Sequence, residues 1–343
     1  MTDTRYQHTI DLMNAMYQAG VVPGMSYVIF DHSQQEKAVV GKAQLVPKNE
    51  DLRDGMLYDL ASLTKVVATT PVIAWLMQKH ELRMDDPVQK YLPEIQNREV
   101  TIRHLLTHTA AIEGYIPHRN ELAASDLIHA LLTQEHIGHN LGLNIAYTDI
   151  GYVYLGLIAQ RITGQPIQQL AQKLVIEHLG LEDEMTFHPD KQRAVPTEVN
   201  SARGGLIRGT VHDPKAAILG PQCGSAGLFA SIDGLTKYGR LLIEDHLDGL
   251  LSEDTLQMMF IDQTPLSGLH NRAFGWKLLH SHADDHHTMI FHPGFTGTFM
   301  ILDRQADAGL VFLSNRVHPT AANEAFLDWR ARIIAAYLMD KDA

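Results

Sequence analysis

The 343-residue chain holds one cysteine, Cys223, which excludes any intramolecular disulfide. Long apolar runs are missing as well. The nearest candidates, AAIEGYI at residues 110–116 and KLVIEHLGL at 173–181, are each broken by charge and too short to span a bilayer. There is no excess of positive charge: 28 Lys and Arg stand against 40 Asp and Glu, a formal net charge of −12. That balance argues against nucleic acid or an anionic membrane surface as partner. The N-terminal stretch MTDTRYQHTIDLMNAMYQAG has no basic segment followed by an unbroken apolar one. No signal peptide is therefore expected, and a cytoplasmic location follows unless a leader has been removed. Internal repeats and low-complexity tracts are also lacking. What remains is ordinary globular composition, 45% hydrophobic and 20% charged, enough for a sizeable core in one large domain or two lobes.

Apolar residues at helical spacing, Tyr6, Ile10, Met13, Met16 and Tyr17, predict an amphipathic helix over residues 5–19, ended by Val22-Pro23-Gly24. Residues 25–30 read as a strand, 31–35 as a turn and 38–40 as a return strand. The other end mirrors this, with strands at 299–302 and 310–313 and a closing helix over 323–339 striped by Phe326, Trp329, Ile333 and Tyr337. From Ser62 to Leu242 the pattern is mostly helical, with breaks at Asp85-Asp86-Pro87, Gly164-Gln165-Pro166 and Ser231-Ile232-Asp233. The expected fold class is α+β. Both termini contribute to one antiparallel sheet, an α/β lobe spanning about 1–60 and 243–343, and a helical lobe spanning about 61–242 is inserted into it. A ligand cleft belongs between two such lobes.

Twenty histidines raise the question of metal binding. His104 and His108 share a helix face by spacing, and His282, His286 and His287 lie near Asp284 and Asp285. Neither group has the Glu of an H-E-x-x-H site or a clear third ligand. Packing or capping histidines in one case, and a solvated loop in the other, are the expected roles. No metal and no cofactor is expected.

Ser62-Leu63-Thr64-Lys65 stands where a helical pattern begins, so hydroxyl and amine, three residues apart, can meet on one face. If Ser62 opens the helix, its backbone N–H points out of the positive end, toward any developing oxyanion. By itself the tetrapeptide arises by chance about once in a chain this long, and a capping serine with a solvated lysine explains it equally. Its company decides. The template for such a nucleophile adds a Ser/Tyr-x-Asn element on the helical lobe and a Lys-Thr-Gly element on a strand. Tyr147-Thr148-Asp149 precedes a helix, and His292-Pro293-Gly294 lies in strand-like MIFHPGFTGTFMIL, in the template's order.

On these residues the chain resembles the serine β-lactamase and penicillin-binding-protein superfamily, in the branch of class C β-lactamases, D-Ala-D-Ala carboxypeptidases and related esterases. The resemblance also includes Val22-Pro23-Gly24, residues 59–65, Asp85–Val88 with Tyr91-Leu92-Pro93, Thr101–Thr109, Tyr147–Gly156, Val211–Asp213, Ala226–Phe229, His292–Thr298 and Ser314–Pro319. It implies a β-lactamase-like fold, with Ser62 acylated and Lys65 and Tyr147 sharing the proton work. It also implies an oxyanion hole from the N–H groups of Ser62 and Phe295, with Asp149, His292 and Gly294 at the substrate site. His292 stands where class C enzymes carry Lys.

Two departures bear on substrate. Pro293 offers neither hydroxyl nor N–H where the template has a threonine, which weakens recognition of an anionic terminus unless it is harmless wear at a strand edge. Asp149 replaces the usual Asn. If it contacts Lys65, an attraction of about 4 kcal/mol at an effective dielectric near 20 keeps the lysine protonated, and Tyr147 becomes the base. The expected function is hydrolysis of a peptide or small-molecule acyl substrate, carboxypeptidase-like or esterase-like. The alternatives are a class C-like β-lactamase and a catalytically silent scaffold.

Overall fold

The computed structural model describes residues 4–268 and 271–343. Strands from both ends of the chain form one seven-stranded antiparallel sheet. Its members are β1 (Gly24–Phe30), β2 (Gln35–Gln44), β3 (Glu50–Asp51), β4 (Lys277–His280), β5 (Thr288–Pro293), β6 (Phe299–Asp303) and β7 (Ala308–Ser314). Their spatial order is β4-β5-β6-β7-β1-β2-β3, so the N-terminal strand β1 pairs with the C-terminal strand β7. β1 and β7 are buried along their whole lengths, because helices cover both faces. This explains why MSYVIF reads as a continuous apolar run.

Alternation distributes the β1 side chains. Met25, Tyr27 and Ile29 join the core formed with α1 (Gln7–Gln18) and the closing helix, through Met13, Met16, Phe326, Ile333 and Tyr337. Val28 and Phe30 face the opposite core. The two terminal helices are also tied by polar contacts: the Thr9 amide and hydroxyl both donate to Asp340 Oδ2, at 2.8 and 2.7 Å. The closing helix runs Ala325–Lys341, two residues later than the spacing suggested.

A helix over Ile232–Glu244, capped by the Ser231 hydroxyl, covers the second face of the sheet. A Cβ on Gly239 would meet Leu302 Cδ2 at 3.0 Å, so this helix lies close on the strands. It falls mostly within the span 61–242 expected for the helical lobe, yet it packs on the sheet against β1, β6 and β7. β2 is longer than the expected 38–40, because its outer face is polar and exposed and masks the alternation. Among the described residues no helix is long and apolar enough to cross a membrane. Residues 1–3 and 269–270 of the expected α/β lobe lie outside the described residues.

Two helices of the inserted part matter most for the site. A π-helical turn, Lys65–Thr69, leads into the helix Thr70–Gln78. It packs against the helix Ile150–Thr163, buried from Ile150 to Ala159 and stopped at Gly164 in the left-handed region. Beside them Tyr58–Asp59, Phe229–Ala230 and Met185–Thr186 form a short sheet that delivers the chain to Ser62.

Candidate active site

Ser62 follows a strained residue. Ala61 has φ +46°, a region non-glycine residues rarely occupy. Asp59 holds it there: Oδ1 accepts from the Ala61 amide at 2.8 Å, and Oδ2 accepts from the His212 amide at 2.6 Å. Burial raises the Asp59 carboxyl above its usual range, opposed by those two amides. The chain then turns into the helix, with the Lys65 amide donating to the Ser62 carbonyl at 3.1 Å.

Lys65 has no solvent exposure. Its Nζ donates to Ser62 Oγ at 2.8 Å, to Asp149 Oδ1 at 2.8 Å and to the Ser225 carbonyl at 3.0 Å. An ammonium has three N–H donors, and each has an acceptor here. Burial opposes the charge, but Tyr147 and Asp149 outweigh it and hold the ammonium above the ordinary lysine value. The contact between Asp149 and Lys65 that the sequence left open is therefore made. The other Asp149 oxygen accepts from Lys215 at 3.2 Å, and Lys215 also donates to Asp213 at 3.0 Å. Burial would raise the Asp149 carboxyl, yet the two lysines hold it well below the usual carboxylate range.

Tyr147 is 47% exposed on the cleft. The Lys65 Nζ lies 5.2 Å from its ring centroid. His108, buried and at φ +57°, lies beneath it with ring centroids 4.5 Å apart, and the His108 carbonyl accepts from the Ala146 amide at 2.8 Å. Tyr147 is thus carried by a loop fastened to the end of a neighbouring short helix. Burial, with Arg272 and Lys65 nearby, pushes His108 well below the ordinary histidine value.

His292 lines the cleft at the expected substrate site. Its Nδ1–H donates to the Pro293 carbonyl at 2.9 Å, and its Nε2 has no partner among the described residues. Burial, Lys65 and Arg272 push it well below the ordinary value, so it stands neutral where a lysine would be charged. Besides Lys65, a second cation lies in this neighbourhood: Arg272, whose guanidinium carbon is 5.8 Å from the Tyr147 ring centroid. Pro293 ends β5 beyond the point where β4 begins to pair, so its missing N–H costs no ladder bond.

The Phe295 loop is fastened to the Ser62 segment. Thr296 Oγ1 donates to the Asp59 carbonyl at 2.6 Å and Thr298 Oγ1 to the Leu60 carbonyl at 3.2 Å. Arg316 Nε donates to the Phe295 carbonyl at 2.7 Å, and the Phe295 ring stacks on His212 at 5.5 Å. A Cβ on Gly294 would lie 2.1 Å from Thr298 Oγ1 and 2.5 Å from the Leu60 carbonyl, so this approach requires glycine. The amides of Ser62 and Phe295 have no acceptor among the described residues.

These groups line one cleft of about 760 Å³, which brings together Ser62, Tyr147, Asp149, His292, Gly294 and Phe295, with Lys65 buried beneath. Sequence reasoning missed Lys215 and Arg272. Lys215 stands two residues after the Val211–Asp213 segment of the resemblance, the signal that could have found it, whereas nothing adjacent marks Arg272; only the fold brings them to Asp149 and Tyr147. His104 is a capping residue, its Nδ1 accepting from the Thr101 amide at 3.1 Å. His287 departs from the solvated-loop expectation: it is clamped between Asp285 (2.7 Å) and Asp303 (2.8 Å). Among the described residues no group of three or more His, Cys, Asp or Glu is placed to hold a metal ion.

A family model described as Beta-lactamase matches residues 10–333. A putative D-alanyl-D-alanine carboxypeptidase of Escherichia coli K12 is 26% identical over 321 residues, covering 78% of this chain and 71% of that protein. An N-acetylmuramyl-L-alanine amidase of Bacillus subtilis 168 is 24% identical over 347 residues, covering 88% and 78%. In fold, the chain is similar to a class C beta-lactamase mutant (TM-score 0.77, 17% identity, 99% of both chains). It is similarly close to EstCE1, a hydrolase with promiscuous acyltransferase activity (TM-score 0.77, 18% identity, 97% of this chain and 98% of the other).

Proposed function

The chain belongs to the beta-lactamase family, one of serine hydrolases, and on that premise we propose that it hydrolyses an acyl substrate through an acyl-enzyme on Ser62. The substrate is a peptide or a small ester, handled in the manner of a D-Ala-D-Ala carboxypeptidase or a carboxylesterase, in the cleft between the two lobes expected at 1–60 with 243–343 and at 61–242. One observation carries the reading: the Ser62 hydroxyl lies 2.8 Å from a buried Lys65 whose three donors are all committed.

A lysine in that state has no lone pair to take the serine proton, so Tyr147 is the base. Tyr147 starts as the phenolate, stabilised by the Lys65 ammonium, and becomes neutral as it takes the Ser62 proton while Oγ bonds to the acyl carbon. The unpaired amides of Ser62 and Phe295 receive the oxyanion. Tyr147 then hands the proton to the leaving amine or alkoxide as its bond to the acyl carbon breaks. In the second half-reaction water attacks the acyl carbon, its proton goes to Tyr147, and Ser62 leaves reprotonated. Asp149, Lys215, His108 and Asp59 position these groups.

A fluorophosphonate probe, followed by a panel of D-Ala-D-Ala peptide, p-nitrophenyl esters and nitrocefin with Ser62→Ala as control, tests the reading. Labelling at Ser62 and turnover of peptide or ester is expected. Absence of any adduct on folded wild-type protein, beside a related hydrolase that labels, would overturn it. Nitrocefin as the best substrate would assign the class C-like activity instead.

A further inference from the structure

The two amides that receive the oxyanion come from distant segments, Ser62 at the entry to a helix and Phe295 on the loop after β5. Such a pair works only when both donors are preorganised about one point, and small displacements are costly. One residue touches both arms. The His212 amide donates to Asp59 Oδ2 at 2.6 Å, and Asp59 Oδ1 accepts from the amide of Ala61, next to Ser62, at 2.8 Å. The His212 ring lies against the Phe295 ring, with centroids 5.5 Å apart and planes 24° from parallel. Phe295 is half exposed, so this contact and the Arg316 guanidinium, 4.8 Å from its centroid, stand in for core packing.

His212 is itself clamped. Its Nε2–H donates to Glu198 Oε2 at 3.0 Å, which fixes the direction of the imidazole. Arg203 Nη1 donates to the Val211 and His212 carbonyls at 2.9 and 2.7 Å. Glu198 and Arg203 flank and cap one small hairpin, in which Val199 and Asn200 pair with Leu206 and Gly205. The hairpin is tied in turn to the segment after β7: the Val199 amide donates to the Pro319 carbonyl at 2.9 Å, and His318 Nδ1–H to the Thr197 carbonyl at 2.8 Å. We infer that His212 is a positioning residue of the oxyanion hole, its ring setting the Phe295 amide against the Ser62 amide. This role rests on the reading above, in which those two amides receive the oxyanion. Substituting the His212 side chain leaves its backbone amide on Asp59, so the Ser62 arm stays held and only the Phe295 arm is released.

The test compares acylation by p-nitrophenyl acetate with acylation by its thiono counterpart, in which sulfur replaces the carbonyl oxygen. Sulfur is a weak hydrogen-bond acceptor and gains little from the two donors. Wild type should favour the oxo ester by about a hundredfold or more, and His212→Gln, which keeps an N–H for Glu198 but no ring, should lower that ratio by about tenfold. His212→Phe keeps the ring alone and should retain most of the ratio. Glu198→Ala frees the imidazole and should lower it less than His212→Gln does. Because the ratio is taken within each variant, a general loss of activity does not imitate the effect. An unchanged ratio in His212→Gln or, if that variant does not fold, in Glu198→Ala would overturn the role of His212. So would a fall in His212→Phe equal to that in His212→Gln. A wild-type ratio near one would instead overturn the oxyanion hole itself, and failure of the oxo ester to acylate Ser62 would overturn the underlying hydrolase reading.

Discussion

Lys65 Nζ stands 2.8 Å from Ser62 Oγ and 2.8 Å from Asp149 Oδ1, although Asp149 is 84 residues further along the chain. This pairing changes what the lysine can do. Beside a neutral partner, a fully buried lysine tends to shed its proton and serve as a base. Beside Asp149 it keeps the proton and acts as a fixed positive charge between nucleophile and tyrosine.

The first consequence concerns pH. With Asp149 and Tyr147 holding Lys65 above the ordinary lysine value, activity that needs the cation persists as pH rises until that elevated value is reached. Asp149→Asn keeps an acceptor oxygen but removes the charge, leaving burial to favour the neutral amine. The alkaline limb of the kcat/KM profile should therefore move to lower pH. A profile measured across the alkaline range on both proteins checks this, and coincident limbs would show that Asp149 does not hold the charge.

Tyr147→Phe removes the proposed base while keeping the ring against His108. Turnover should fall by about a hundredfold to ten-thousandfold, the usual worth of a positioned acid–base group. Rates of Ser62 acylation, followed with an activated ester, should fall with it. A nearly normal acylation rate would return the base role to Lys65.

The approach of the Phe295 loop to the Ser62 segment depends on Gly294 and on the Thr296 hydroxyl bonded to the Asp59 carbonyl. Gly294→Ala should displace the Phe295 amide and cost up to one oxyanion donor, about 2.7–4 kcal/mol of barrier. Thr296→Val should act in the same direction more weakly. Both effects should fall on kcat and leave KM little changed, which steady-state kinetics on the same ester will read.

Far from the cleft, burial disfavours protonated His287, yet Asp285 and Asp303 outweigh it and raise its value. A raised native value means stability that is complete below the unfolded value of about 6.5. That stability is lost as pH rises through the native value. Thermal melts of wild type and His287→Gln should differ most on the acid side and converge at alkaline pH. A difference independent of pH would mean that the imidazole acts by packing alone.

The sheet and its flanking helices were legible because β1 is a short continuous apolar run beside turn residues and the terminal helices repeat apolar residues every three to four positions. Ser62, Lys65 and Tyr147 were legible because they stand in an ordered set of local motifs. The Lys65–Asp149 contact was only conditional in the sequence, since spacing does not fix a distance across 84 residues. Arg272 left no local trace and Lys215 only its nearness to Asp213, because their significance comes from the aromatic ring or distant carboxylate the fold sets beside them. The position of His292 at the cleft was legible from its motif, whereas its neutral state was not, because that follows from burial beside Lys65 and Arg272.

The most direct test of the account is to quench the protein during steady turnover of a p-nitrophenyl ester and map the acyl group by peptide mass. The account predicts an acyl adduct on Ser62 that is absent in Ser62→Ala and forms slowly in Tyr147→Phe. Turnover with Ser62 unmodified, or an adduct on another side chain, would contradict it.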